Sequence, residues 1–260
     1  MSRTALSVNL NKVALVRNAR GGGRPDLRAA AEACLRAGAH GLTLHPRPDG
    51  RHALADDVRL FARLVGEAGH ERAGMAPELN VEGNPFAGPE GAYPGFLALA
   101  EETRPHQATL VPDTRAQLTS DHGWSLPDDA ARLRPVIARL RALGCRVSLF
   151  IDPDPDAARA AADLGADRVE LYTGPYAEAF AAGAAADVLP RYVAAAEAAR
   201  SAGLGLNAGH DLDLENLGLL LRALPPVDEV SIGQALVADA LHIGLTGAVR
   251  AYLDVLERVA

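Results

Sequence analysis

The sequence predicts a single (β/α)8 TIM barrel over residues 1–260, with extra short helices in the strand-to-helix loops. Short apolar segments typical of buried parallel strands alternate eight times with helical patterns, and no linker interrupts them. The length of 260 residues matches the usual size of one such barrel. Turns from helix to strand are short and carry a glycine, whereas several strand-to-helix connections are long and polar. This asymmetry is typical of a barrel enzyme, in which chemistry takes place at the carboxyl ends of the strands.

The predicted strands and helices follow one another in regular order. Strands are expected at residues 4–9, 41–45, 76–82, 107–111, 146–152, 168–173, 204–207 and 229–232. Helices are expected at 25–37, 56–67, 128–143, 189–201 and 214–223, before residue 102, before residue 165, and in two stretches that end at 260. Loops are expected at 17–25, 83–95, 113–127 and 174–187. A doubly wound parallel sheet shows the same alternation, but the chain length and the number of units favour the barrel.

The composition is that of an ordinary globular protein, with 48% hydrophobic and 23% charged residues. The net charge of −7 argues against a nucleic-acid surface. No apolar stretch has the length of a membrane span, and we expect no signal peptide, because the first residues run directly into a strand. Cys34 and Cys145 are isolated thiols without metal-ligand spacing, which favours a cytoplasmic protein without a disulfide framework.

Polar side chains stand at or close to the carboxyl ends of several predicted strands. His45 ends the second strand, because Pro46 and Pro48 prevent its continuation. Three further positions of this kind are Glu82, Glu170 and His210. A single polar residue at a strand end is more often a turn former or a helix cap than a catalyst. Two imidazoles and two carboxylates at one end of a barrel instead predict a site that exchanges protons near neutral pH.

Two basic clusters indicate sites for phosphate groups. The first surrounds three consecutive glycines and consists of Arg17, Arg20 and Arg24. The second follows the second strand and consists of Arg47 and Arg51. Guanidinium groups match phosphate oxygens, and glycines let backbone amides approach them. The turn at residues 231–235 leads into a helix whose first N–H groups can hold an anion. The sequence therefore predicts two phosphorylated ligands or one bisphosphate.

Seven short segments, in order along the chain, resemble the pyridoxine 5′-phosphate synthase family. They are NLNKVALVRNAR at 9–20, HPR at 45–47 with His52, NVE at 80–82, LVPD at 110–113, VELYTG at 169–174, NAGH at 207–210 and SIG at 231–233. The resemblance implies a cytoplasmic (β/α)8 barrel that assembles as a homo-octamer and uses no metal and no organic cofactor. It also implies condensation of 3-amino-2-oxopropyl phosphate with 1-deoxy-D-xylulose 5-phosphate, which closes a pyridine ring and releases phosphate and water.

Position by position, the resemblance also implies a set of site residues. His45 and Glu82 would accept protons, and His210 would donate one. Glu170 would stabilise charged intermediates. The residues implied in binding the aminoketone phosphate are Asn9, Arg20, the backbone around Asp211, Gly233 and Gln234. The residues implied in binding the deoxyxylulose phosphate are Asn11, Lys12, Arg47, His52 and Thr119.

The chain departs from the family pattern at three places that the resemblance assigns to substrate binding. The best-known members carry Asp-His where this chain has Asn11 and Lys12. They carry Gly-His where it has Gly233 and Gln234, and Asp211 is the third departure. Lys12 is also the single lysine among 26 basic residues. These changes affect the predicted contacts with the substrates rather than the predicted acid and base residues.

Two other classes of protein fit part of the pattern. A metal-dependent aldolase could use the two imidazoles and two carboxylates as ligands of a divalent cation. Against it, arginines crowd the same end of the barrel and no HxH-type spacing is present. A non-catalytic barrel that binds phosphorylated metabolites is supported only by Asn11 and Gln234. In each case the expected partners are phosphorylated small molecules, and we expect neither nucleic acid nor a membrane.

Overall fold

The barrel closes in the order of the sequence. The computed structural model describes residues 4–71 and 76–259, and within them eight parallel strands pair successively, with the first strand also paired to the last. The strands are β1 Ala5–Asn9, β2 Gly41–Leu44, β3 Glu78–Gly83, β4 Gln107–Leu110, β5 Arg146–Ile151, β6 Arg168–Leu171, β7 Gly205–Gly209 and β8 Glu229–Ile232. The predicted (β/α)8 barrel is therefore confirmed.

Helices cover the outside of the barrel between successive strands. They are α1 Asn11–Asn18, α2 Leu27–Ala37, α3 Ala55–Glu71, α4 Phe96–Thr103, α5 Leu126–Ala142, α6 Pro155–Leu164, α7 Gly174–Ala181, α8 Ala185–Ser201, α9 Leu217–Ala223, α10 Gln234–Ile243 and α11 Leu245–Val259. The prediction of extra short helices is confirmed, because α1 and α7 each precede the longer helix of their unit. Within the described ranges, no helix combines the length and the apolar character that crossing a membrane requires.

The loop predicted at residues 17–25 begins and ends later in the structure, and the helix predicted from Pro25 also starts later. The helix α1 continues through Asn18, so the glycine-rich loop starts only after it. The helix α2 begins at Leu27 instead of Pro25, because the Asp26 carboxylate accepts two backbone N–H bonds as its N-cap. The side-chain cap, which competes with the helix-starting tendency of proline, sets this boundary.

The prediction of a loop at residues 174–187 was wrong. Most of this segment forms α7, and α8 already begins at Ala185. Pro175 lies in the first turn of α7, where its missing N–H costs nothing, so the Gly-Pro pair starts a helix here instead of a turn. The Tyr176 ring is buried against Tyr192 of α8, which anchors the short helix to its neighbour.

Alternation along the strands separates an apolar outer layer from a polar barrel interior. On β3, Leu79 and Val81 are buried in the hydrophobic core. The intervening Asn80 faces the inside of the barrel, where it accepts a hydrogen bond from Thr109 at 3.0 Å. Glu82 follows on the same side of the strand, at its carboxyl end. The strand period therefore places a carboxylate at the mouth of the barrel.

Glycine stops keep the opposite end of the barrel short. Gly38 after α2 and Gly165 after α6 adopt the left-handed conformation, with φ of 113° and 88°. This conformation lets each helix end abruptly and the chain enter the next strand within a few residues. The long connections consequently lie at the carboxyl ends of the strands, where the polar side chains are.

Candidate active site

A cavity of about 420 Å³ lies at the carboxyl ends of the strands. Every site residue that the family resemblance implied, except Arg20, contributes to its wall, whereas Arg17 and Arg24 of the first basic cluster do not. The residues that contribute are Asn9, Asn11, Lys12, His45, Arg47, His52, Glu82, Thr119, Glu170, His210, Asp211, Gly233 and Gln234. The side chain of Arg20 is exposed on the loop after α1 and does not line the cavity. The barrel thus brings residues from the first to the last strand into one polar chamber.

His45 directly follows β2, and its imidazole lies between two carboxylates. Its Nδ1 atom is 3.8 Å from Glu82 Oε2, and its Nε2 atom is 3.1 Å from Asp113 Oδ2. Its backbone N–H donates to Asn11 Oδ1 at 2.9 Å, which ties the strand end to the first turn of α1. The side chain is only 8% exposed. An imidazole held in this way can exchange a proton with a molecule in the cavity.

Glu82 ends the inward-facing row of β3, and polar neighbours hold its carboxylate. Oε2 accepts from Asn9 Nδ2 at 3.3 Å, and Oε1 accepts from Ser231 Oγ at 3.4 Å. Burial raises the pKa of Glu82, and this outweighs the lowering effect of His45 and His210. A carboxyl group whose pKa lies above its ordinary value exchanges protons closer to neutral pH, as a general base requires.

Glu170 on β6 is buried more deeply than Glu82, and only 4% of it is exposed. Burial raises its pKa well above the ordinary value, and the charges of Glu82 and Glu229 add to this effect. Within the described part of the chain, its Oε2 atom has no hydrogen-bond partner. These surroundings disfavour the ionised carboxylate, and a positive charge in the cavity would favour its ionisation.

Gly209 on β7 makes the position of Glu170 possible. A Cβ atom at Gly209 would lie 2.5 Å from the carbonyl oxygen of Ser231 and 3.2 Å from Glu170 Oε1. The first distance is a clash with the backbone of β8, which cannot move without separating the two strands. Glycine is therefore required here because of close approach between a strand and a carboxyl group.

His210 follows β7 in a conformation that is rare for a residue with a side chain. Its φ is 57°, which is left-handed. Its Nε2 atom forms a hydrogen bond with Thr119 Oγ1, and its Nδ1 atom lies 2.7 Å from Asp211 Oδ2. The rings of Phe150 and Tyr172 pack beside it at centroid distances of 6.4 Å and 6.2 Å. Such a strained position, held from several sides, is typical of a functional side chain.

His52 lies against His45, with the two ring centroids 6.0 Å apart. Burial, together with nearby positive groups of which His45 is the first, lowers the pKa of His52 to about 3. The ring is therefore neutral across the physiological range of pH. Its Nδ1 atom has no hydrogen-bond partner among the described residues, so it can serve a bound molecule as a neutral donor or acceptor.

Three of the arginines that the sequence assigned to phosphate binding instead form hydrogen bonds and ion pairs within the protein. Arg17 forms a bidentate pair with Asp57, at 2.5 Å and 2.8 Å, and does not line the cavity. Arg47 binds Asp113 Oδ2 at 2.5 Å and donates to the carbonyl of Gln117 at 3.0 Å. Arg51 donates to the same carbonyl at 3.0 Å. The contacts of Arg47 and Arg51 hold the loop after β4, so these two arginines and Arg17 act largely within the protein.

Two other positive features face the cavity. Lys12 lies in the first turn of α1, and its side chain lines the chamber. The helix α10 begins at Gln234 directly after Gly233, and both residues line the chamber as well. A Cβ atom at Gly233 would lie 3.2 Å from Asn9 Cβ, so glycine permits the close approach of β1. A helix N-terminus and an ammonium group are each suited to an anion.

Asp113 is a site residue that the sequence pattern did not single out. It follows β4 after Pro112, is 7% exposed, and contacts both His45 and Arg47. The signal was present, because a carboxylate comes directly after a strand that proline ends. An aspartate in that setting is also a common turn former, and only the fold shows that its side chain turns inward.

The chain is similar to one protein family over almost its whole length. The sequence profile of the family described as pyridoxal phosphate biosynthesis protein PdxJ matches residues 6–258. A pyridoxine 5′-phosphate synthase of Xanthomonas axonopodis pv. citri is 56% identical, over 98% of this chain and 97% of that protein. A protein of the same name from Xylella fastidiosa is 53% identical, over 99% of this chain and 96% of that protein.

Solved structures support the barrel independently of the sequence. One described as native KDPGal structure superposes with a TM-score of 0.60 at 14% identity, over 100% of this chain and 97% of that chain. A tryptophan synthase chain from M. tuberculosis superposes with a TM-score of 0.59 at 12% identity, over 98% and 94% of the two chains. At these identities, the likeness concerns the fold alone.

Proposed function

The chain belongs to the pyridoxal phosphate biosynthesis protein PdxJ family, and we propose that it is a pyridoxine 5′-phosphate synthase in vitamin B6 biosynthesis. In this proposal it condenses 3-amino-2-oxopropyl phosphate with 1-deoxy-D-xylulose 5-phosphate, with release of phosphate and water. The observation that carries the assignment of the site is the convergence of His45, Glu82, Glu170 and His210 on a single cavity.

The reaction needs several proton transfers in one place. Attack of the amine on a ketone gives a carbinolamine, whose hydroxyl leaves as water only after it receives a proton. Ring closure and aromatisation remove protons from carbon, and each removal needs a base. Glu82 and His45 are assigned the role of bases, because they lie 3.8 Å apart and both line the cavity. His210 stands elsewhere in the wall and is assigned the role of proton donor.

Glu170 is assigned the stabilisation of positively charged intermediates. Its pKa is raised by burial and by neighbouring carboxylates, so its ionised form is disfavoured, and a cationic iminium in the cavity would stabilise that ionised form. This stabilisation arises only when the positive charge develops during the reaction. It therefore lowers the activation barrier instead of only tightening the binding of the substrate.

The two phosphate groups are assigned to two different sets of residues in the cavity wall. The start of α10 at Gly233 and Gln234, with Asn9 beside it, would hold the aminoketone phosphate. Lys12, together with the neutral ring of His52, would hold the deoxyxylulose phosphate. Arg47 also lines the cavity and is proposed as a further contact of the deoxyxylulose phosphate. Arg20 remains a proposed contact of the aminoketone phosphate because of the family resemblance. Its side chain does not line the cavity.

The family resemblance further supports a cytoplasmic homo-octamer that needs no metal and no organic cofactor. Exposed apolar side chains on two helices would suit association of subunits. They are Val16 of α1 and Leu241 and Ile243 of α10, which are 56%, 83% and 53% exposed. Sedimentation velocity of the purified protein tests the octamer directly.

Turnover of the purified protein with both phosphates tests the proposed function. Mass spectrometry should detect pyridoxine 5′-phosphate and an equal amount of inorganic phosphate, and omission of either substrate should abolish both products. Binding of both phosphates without product would instead support the non-catalytic barrel. A parallel assay after treatment with a chelator tests the aldolase alternative. Among the described residues, no group of three or more His, Cys, Asp or Glu side chains could hold a metal ion. Activity lost on chelation and restored by Mn²⁺ or Zn²⁺ would favour the aldolase.

A further inference from the structure

We propose that Asp113 is a positioning residue that fixes the tautomer of His45, an inference that rests on the function proposed above. Asp113 does not line the catalytic cavity, so it does not touch the substrates there. It lies behind His45, in the wall of a neighbouring cavity of about 390 Å³. Its action on the reaction would therefore pass through the imidazole.

The contacts of Asp113 orient its carboxylate firmly. Oδ2 lies 3.1 Å from His45 Nε2 and 2.5 Å from Arg47 Nη2. Its backbone carbonyl accepts a hydrogen bond from Asn84 Nδ2 at 2.9 Å, which anchors the loop after β4 to the loop after β3. The residue is 7% exposed. A buried carboxylate with a guanidinium partner keeps both its charge and its direction.

The ionisation state of Asp113 follows from the same neighbours. Burial raises its pKa, but the charges of His45 and Arg47 and the hydrogen bond with His45 together hold it below the ordinary value. An ionised carboxylate can only accept hydrogen bonds. His45 Nε2 must therefore carry a proton, and in the neutral ring the Nδ1 lone pair points toward Glu82 and the cavity.

Several charged groups surround the ring, and their positions define what Asp113 adds. Glu82 faces Nδ1 from β3, and Asp113 faces Nε2 from the loop after β4. His52 packs edge-on against the ring, and Arg47 lies beyond Asp113. Asp113 is thus the ionised group in hydrogen-bond contact with His45, whereas Glu82 stands farther away and its pKa is raised by burial.

Nuclear magnetic resonance of ring-¹⁵N-labelled histidine in the full protein, without substrate, tests the tautomer. The His45 signal among the eight histidines is assigned by its loss in His45→Asn. In the neutral ring, the proton should be on Nε2 and absent from Nδ1. A proton on Nδ1 would overturn the proposal. Because this measurement needs no turnover, it stands apart from any failure of the proposed function.

Variants of Asp113 test the charge. In Asp113→Asn, the share of neutral His45 rings with the proton on Nε2 should fall, because Nε2 loses its ionised acceptor. Asp113→Glu should restore part of that share. Asp49→Asn is the matched control, since it removes a carboxylate beside Arg51 on the loop after β2. An unchanged tautomer in Asp113→Asn, or an equal change in Asp49→Asn, would contradict the proposal.

The order of activities separates positioning from simple packing. If the charge matters, kcat of Asp113→Asn should fall at least about ten-fold with a smaller change in KM, and Asp113→Glu should be the more active variant. If Asp113 only fills space, the isosteric Asn should be better tolerated than the longer Glu, which would refute the proposal. Should Asp113→Asn not fold, the tautomer in the parent protein and the activity of Asp113→Glu still decide.

Discussion

His45 Nδ1 lies 3.8 Å from Glu82 Oε2, across the carboxyl ends of the adjacent strands β2 and β3. The separation is slightly too long for a strong direct hydrogen bond, and both side chains line the same cavity. A proton removed from a substrate at this point can therefore go to the carboxylate or to the imidazole. The pair is therefore the centre of the proposed acid–base chemistry.

Replacement of the proposed base should abolish most of the turnover without loss of the fold. Glu82→Gln keeps the shape of the side chain and removes its ability to accept a proton, so kcat should fall about 10²–10⁴-fold. The thermal transition should stay close to that of the parent, since the amide oxygen can accept from Asn9 Nδ2 while the amide N–H donates to Ser231 Oγ. Glu67→Gln on the exposed face of α3 is the matched control. More than about a tenth of the parent rate in Glu82→Gln would exclude the role.

Glu170 should make the protein less stable as the pH rises. Its pKa is raised in the folded state, so above the ordinary pKa of about 4.3 the unfolded chain loses a proton that the fold retains. The free energy of unfolding consequently falls with rising pH until the folded-state pKa is passed. Glu170→Gln should therefore have a higher melting temperature than the parent at pH 7, with the difference vanishing near about pH 4. Exposed Glu197→Gln serves as the control, and a constant difference at every pH would contradict this explanation.

Addition of a methyl group at Gly209 should damage both stability and activity. In Gly209→Ala the new Cβ would meet the Ser231 carbonyl at 2.5 Å and Glu170 Oε1 at 3.2 Å. Overpacking of this kind costs about 1–3 kcal/mol, and kcat should fall because Glu170 is displaced. Gly66→Ala in α3 meets nothing within 4 Å and should be neutral or stabilising. Equal behaviour of the two variants would show that the close approach at β7 is unimportant.

Lys12 should contribute to substrate binding more than to the chemical step. If its ammonium group contacts the deoxyxylulose phosphate, Lys12→Ala should raise KM for that substrate about ten-fold or more with little change in kcat. Lys12→Arg keeps the charge, and its KM should lie between those of the parent and Lys12→Ala. Borohydride reduction with the deoxyxylulose phosphate, followed by peptide mass mapping, should give no adduct at Lys12. An adduct would show a Schiff base, and full activity of both variants at low substrate would exclude any contact.

The positions of the strands, and of the polar side chains at their carboxyl ends, could be predicted because both depend on local sequence patterns. The short apolar segments, and the prolines that end the second strand, are sufficient to place His45 and Glu82 at the mouth of the barrel. The parallel order of the strands brings them together with His210, which is remote in sequence.

Other features depend on side-chain partners that the sequence does not reveal. Arg17 was expected at a phosphate, but the fold places Asp57 within 2.5 Å of its guanidinium. Asp113 was missed because its role depends on the direction of one side chain. The start of α7 was missed because Gly174-Pro175 is compatible with both a turn and a first helical turn. Packing against Tyr192, which is distant along the chain, decides between them.

A double-mutant cycle at His45 and Glu82 tests the central claim most directly. His45→Asn, Glu82→Gln and the double variant are compared with the parent in kcat for the formation of pyridoxine 5′-phosphate. If the two side chains handle the same proton, the double variant should be about as slow as the slower single variant, because removal of either partner already disables the pair. A loss in the double variant equal to the product of the two single losses would show that the residues act independently, and would contradict the account.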